Sequence, residues 1–111
     1  MSDAKQALRR SLKRPAGAKQ AESPRTARII ARVRAIPAGF VRTYGDIDPG
    51  APRLVGHVLA TTHDDLPWFR VVHADGSVPM GKKQRGLLRA EGIPMRGDRV
   101  DLRLARLPTN L

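Results

Sequence analysis

The chain has 111 residues and a formal net charge of +11, from 21 basic and 10 acidic side chains. Its length suits one domain with an extension, and its charge favours a polyanionic partner, nucleic acid before an anionic membrane surface. Cysteine is absent, which excludes disulfides, thiolate zinc sites and a Cys nucleophile.

No stretch approaches the ~20 apolar residues that cross a bilayer. The N-terminus lacks the apolar middle of a secretion signal. A cytoplasmic protein is therefore expected, with 41% hydrophobic residues for a modest core. Residues 1–24 carry Lys5, Arg9, Arg10, Lys13, Arg14 and Lys19, with Pro15 and Gly17 breaking any helix begun by Leu8 and Leu12. They read as a disordered basic arm that touches phosphates without specificity, or as an inert extension.

Ser23-Pro24 is a helix start signal, a capping hydroxyl followed by Pro at the first helical position. Ile29, Ile30, Val33 and Ile36 then form one apolar stripe, with Arg25, Arg28, Arg32 and Arg34 mostly off it. Pro37-Ala38-Gly39 ends this helix. Thr43 can cap a short turn that begins at Tyr44. Asp48-Pro49-Gly50-Ala51-Pro52 is a turn cluster, and residues 53–60 read as a second helix with Leu54, Val55, Val58 and Leu59 buried. A short helix, a turn and a second helix describe a helix-turn-helix. Gly56 inside that helix costs ~1 kcal/mol relative to Ala, which close approach to a partner would explain.

Pro67-Trp68-Phe69-Arg70-Val71-Val72 contains the only Trp and one of two Phe. Aromatic rings beside a guanidinium suit a slot for a flat, electron-rich group. The plainer reading is a core strand whose Arg faces solvent. Asp75-Gly76 signals a hairpin turn, so Val71-Val72 and Ser77-Val78 are expected to be strands of a wing. Residues 82–91 read as a basic last helix with Leu87 and Leu88 buried, ended by Gly92. Residues 96–98 read as a turn, and Val100, Leu102 and Leu104 as an alternating strand. The expected organisation is an arm over 1–24, a mainly α winged helix-turn-helix domain with a small β-hairpin wing over 25–105, and a tail over 106–111.

Six pieces stand in order: Ile36-Pro37-x-Gly39, Thr43-Tyr44-Gly45-Asp46-Ile47, Arg53-x-Val55-Gly56, Pro67-x-x-Arg70-Val71-Val72, Ala74-Asp75-Gly76 and Leu87-Leu88-x-x-Glu91-Gly92. Over about residues 25–93 this resembles the DNA-binding domain of the O6-alkylguanine-DNA alkyltransferases, and more closely their non-enzymatic relatives, the alkyltransferase-like proteins. The alkyltransferases carry Pro-Cys-His-Arg-Val, where Cys accepts the alkyl group. Here Trp68 stands at the Cys position and Phe69 at the His position. An indole cannot attack carbon as a thiolate does.

The resemblance implies that the second helix enters the minor groove, with Gly56 permitting close approach. It implies that Arg53 is the finger that fills the gap left by a rotated nucleotide, and that Tyr44 presses on the adjacent phosphate. Thr43 caps or touches phosphate. The flipped O6-alkylguanine would lie against Trp68, with backbone carbonyls at Trp68 and Val71 as acceptors and Arg70 bracing the segment. Only five residues separate Ile47 from Arg53, so the first helix of the motif is expected to be truncated. The lid region aligns loosely with Met80-Gly81, with Lys82 as a contact. No cofactor or metal is implied. The expected partners are duplex DNA bearing O6-alkylguanine and nucleotide excision repair proteins, bound by a nucleoid-associated monomer.

Two other readings compete. A winged-helix regulator or nucleoid protein without lesion specificity needs only the basic residues. An enzyme using His57, His63, Asp64, Asp65 and His73 lacks metal-ligand spacing.

Overall fold

The computed structural model describes residues 23–108; the basic arm expected over 1–24 lies outside them but for its last two residues. Helix α1 (Pro24–Arg34) starts where its cap predicts: Ser23 Oγ accepts the Thr26 N–H at 3.1 Å. Its stripe of Ile29, Ile30 and Val33, with Ile36 beyond its end, is buried. Strand β1 (Arg42–Thr43) leads into the one-turn helix α2 (Tyr44–Ile47), and α3 (Pro52–Thr61) follows. Ile47, Val55, Val58 and Leu66 join the α1 stripe in a first core, against which Leu54 and Leu59 are only partly buried. A single 3₁₀ turn (Trp68–Arg70) precedes strand β2 (Val71–Val72), and helix α4 (Gly81–Ala90) comes next.

Strands β1 and β2 pair in parallel, Arg42 opposite Val71 and Thr43 opposite Val72. Successive side chains on a strand point to opposite faces, and here that alternation divides the molecule. Val71 belongs to the first core, whereas Val72 belongs to a second core with Val41, Leu88, Ile93, Val100 and Ala105.

The wing differs from the sequence expectation. The hairpin consists of β3 (Met95–Arg96) and β4 (Arg99–Val100), antiparallel around Gly97 at φ +62°. The Asp75-Gly76 turn does form, with Gly76 N–H on His73 O at 2.9 Å and His73 N–H on Ser77 O at 3.0 Å. It goes no further as a ladder. β2 is already paired with β1, the Gly76 carbonyl accepts from Val100 N–H at 2.9 Å, and Pro79 has no N–H to donate.

Three smaller corrections fall between residues 84 and 107. Leu102–Ala105 is a one-turn helix, α5, because the Asp101 carboxylate caps it by accepting the Arg103 N–H; Leu104 is 65% exposed, not part of a buried strand face. Leu87 is 37% exposed, and the fully buried partner of Leu88 on α4 is Gln84. Arg106 and Leu107, expected as tail, are tied in by a parallel bridge to Val41, with Leu107 N–H on Val41 O at 2.9 Å.

Candidate nucleic-acid interface

The truncated helix α2 is held by more than its own turn. Thr43 Oγ1 accepts Asp46 N–H and the Asp46 carboxylate accepts Thr43 N–H, both at 3.1 Å, a complete capping box. Arg106 then clasps Asp46 in a fork, at 2.9 and 2.6 Å. Burial alone would raise the Asp46 carboxyl, but the hydrogen bonds from Arg106 and Thr43 outweigh it and hold the group below its usual range. At the other end Arg32 donates to Ile47 O at 2.8 Å, satisfying an end carbonyl. Arg25 binds Asp48 through two bonds at 2.7 and 2.8 Å. That fork is the main cause of an Asp48 pKa of about 2. Two of the arginines on the outer face of α1 therefore serve the turn between the helices.

This scaffold sets Tyr44 at the first position of α2. Its ring is half-buried and tilted against His73, with centroids 5.4 Å apart. Burial pushes the phenol above its ordinary pKa. A Cβ on Gly56 would meet the Tyr44 ring edge at 3.8 Å, so the small position of α3 and the tyrosine share one surface. Arg53, in the first turn of α3, is exposed and makes no side-chain hydrogen bond or ion pair among the described residues. Thr43 is buried with its hydroxyl occupied by the cap.

The Trp68 segment is pinned from beneath. Val71 N–H closes the 3₁₀ turn onto Trp68 O. Gln84, fully buried, donates Nε2–H to Phe69 O at 3.0 Å and to Val71 O at 2.9 Å, and accepts Met80 N–H on Oε1 at 3.1 Å. Arg70 forks onto Glu91 and donates to Ile36 O at 2.8 Å. Its hydrogen bond is the main reason that the Glu91 carboxyl lies below its usual range. Arg70 thus joins the turn to the ends of α1 and α4. Trp68 itself stands partly exposed above this base, edge-to-face with Phe69 at 5.9 Å, with Lys83 Nζ 5.8 Å from its ring centroid. Of the two lysines that open α4, Lys83 is the one near the Trp68 ring.

Residues 24–93 match the family described as the 6-O-methylguanine DNA methyltransferase, DNA binding domain. The chain belongs to this family. Within it, a DNA base-flipping protein of Escherichia coli K12 is 41% identical over 86 residues, covering 67% of each chain. Among solved structures, S. pombe Atl1 in complex with damaged DNA containing O6-carboxymethylguanine superposes with a TM-score of 0.66 at 23% identity, over 80% of this chain and 100% of that one. A structure of S. pombe ATL in complex with DNA gives a TM-score of 0.64 at 25% identity, over 75% of this chain and 94% of that one. The mainly α fold with a small β wing is the fold of these neighbours.

Sequence reasoning about this family member missed Gln84 and Lys83. A glutamine four residues before a buried leucine on a helix is the available signal for the first. The second was one residue from the lysine singled out. His57, His63, Asp65 and His73 are exposed, Asp64 pairs with Arg34 at 3.2 Å, and no three His, Cys, Asp or Glu side chains gather as metal ligands among the described residues. No helix in that range is long and apolar enough to cross a membrane. A groove of about 430 Å³ beside the wing is lined by Asp75, Arg96, Arg99 and Arg103 among others, and by none of the residues assigned to the interface.

Proposed function

We propose that this chain is a non-enzymatic sensor of O6-alkylguanine in duplex DNA. It binds through α3 in the minor groove, rotates the lesion out of the stack and holds it against Trp68, so that nucleotide excision repair can find it. The observation that carries the reading is Trp68: a partly exposed indole on a turn braced by Arg70 and Gln84, in a chain with no cysteine to accept an alkyl group. Arg53, Gly56 and Tyr44 take the roles that the family resemblance implies, as finger, close-approach point and phosphate lever. Thr43 sets the turn that aims Tyr44, and Val71, expected to offer its carbonyl to the base, is instead fully buried with that carbonyl accepting from Gln84, so it anchors the Trp68 segment in the core. The E. coli relative's description as a base-flipping protein and the damaged DNA bound by Atl1 support the same reading.

The energetics are feasible. Unstacking a base costs a few kcal/mol, least for a damaged pair. Contact with an aromatic ring returns ~1–3 kcal/mol per base, and an alkyl group adds ~0.8 kcal/mol per buried CH₂. The Arg53 finger supplies the remainder by filling the vacated stack.

Titration of duplexes with and without one O6-methylguanine, at fixed salt, tests the reading. Tighter binding of the lesion duplex is expected, without alkyl transfer to protein. Arg53→Ala should weaken lesion binding more than binding to intact DNA, and Trp68→Ala should erase most of the discrimination with little change in salt slope. Equal affinity for both duplexes would leave a winged-helix DNA-binding protein without lesion specificity.

A further inference from the structure

We propose that Lys83 sets which adducts the Trp68 site prefers, favouring an O6 substituent that ends in a negative charge over a neutral one. The inference rests on the reading of Trp68 as the surface that meets the flipped base. Lys83 Nζ lies 5.8 Å from the centroid of the Trp68 ring, close enough for a cation to be held by an aromatic face. Lys83 is exposed and forms no ion pair among the described residues, and the first turn of α4 holds Lys82 and Lys83 with no acidic residue.

That arrangement is unfavourable by itself. The start of a helix already presents positive charge through its unpaired N–H groups, and cations there are disfavoured. Met80 supplies no side-chain cap to offset it. A carboxylate brought against the indole by a modified guanine would meet an ammonium group whose protein partner is the ring alone. A methyl or other neutral alkyl group would gain nothing from that charge. For a charge separation of about 6 Å, set equal to the distance between Nζ and the ring, and with partial screening by solvent, such a pair corresponds to about three- to tenfold in affinity. A DNA phosphate is the other anion that Lys83 can meet, and it would act on every duplex alike.

Four otherwise identical duplexes separate these cases in a fluorescence titration at fixed salt: unmodified, O6-methylguanine, O6-carboxymethylguanine and its neutral amide isostere O6-carbamoylmethylguanine. The native protein is expected to bind the carboxymethyl duplex about three- to tenfold more tightly than the carbamoylmethyl duplex. Lys83→Gln should abolish that ratio and keep the preference for methylated over unmodified DNA. Lys82→Gln, which removes the same charge one residue away, should keep the ratio. The inference is overturned by a ratio of one in the native protein, by a ratio that survives Lys83→Gln, or by equal loss in both variants. It is also overturned if Lys83→Gln weakens all four duplexes uniformly, which assigns the lysine to phosphate. Equal binding of methylated and unmodified DNA by the native protein overturns the lesion-sensor reading itself, and the inference falls with it.

Discussion

Gly56 is where the demands of folding and those of the proposed binding diverge. In a helix interior a glycine is less favourable than alanine by ~1 kcal/mol, and the space for a methyl group is present, with the nearest atom 3.8 Å away on Tyr44. Gly56→Ala is therefore expected to raise the thermal midpoint, by about 4–8 °C for a domain of this size. The same methyl group would stand between α3 and the floor of a groove, so DNA affinity should fall. Thermal melts and DNA titrations of the variant measure both effects. A variant that gains stability and binds DNA as before would remove Gly56 from the interface. Gln84 makes the opposite point. It is a polar side chain with no exposure, yet both ends of its amide are engaged, as a buried amide requires.

At the scale of elements, the Asp75-Gly76 turn meets the wing at a close approach. Gly76 has φ +85°, and a Cβ there would lie 2.4 Å from the Val100 carbonyl oxygen, a backbone atom. Neither partner can give way without opening the Gly76–Val100 hydrogen bond. Gly76→Ala should cost about 1–3 kcal/mol in backbone strain and more from the contact. A lower urea midpoint with an unchanged slope would register it. An unchanged midpoint would mean that the turn and β4 are not packed as described. The helix-turn-helix is fastened differently, by Arg25, Arg32 and Arg106. One turn of helix is too short to persist alone, and these arginines hold it against α1 and the chain's last described bridge.

Over the whole molecule, the net charge of +11 conceals a division of labour. Several arginines hold carboxylates within the fold, and those carboxylates set its acid limit. Asp48 titrates at about 2 in the native state against an ordinary value of 3.8, and Asp46 and Glu91 are also held below their usual ranges. Between these values the unfolded chain binds more protons than the native one. Stability is therefore full above about pH 5 and falls as the pH drops toward 2. Urea midpoints measured across that window should decline, and Asp48→Asn should flatten the decline while lowering stability at neutral pH. A decline of equal steepness in the variant would detach Asp48 from the acid limit.

Much of this protein is decided locally, and that part was legible in the residues. The Ser23 cap, the α1 stripe, the Thr43 cap and the stop at Gly92 follow from interactions within a few positions, where hydrogen-bonding and periodicity act directly on neighbouring groups. The family, too, was legible, because six short pieces stand in order along the chain. The tertiary structure decided what depends on distant partners. β2 pairs with β1 instead of its neighbour, the wing moves to residues 95–100, and Gln84 and Lys83 acquire their places beneath and above Trp68. Parallel pairing and the burial of an amide gain their free energy only when remote segments meet, so local pattern alone does not decide them.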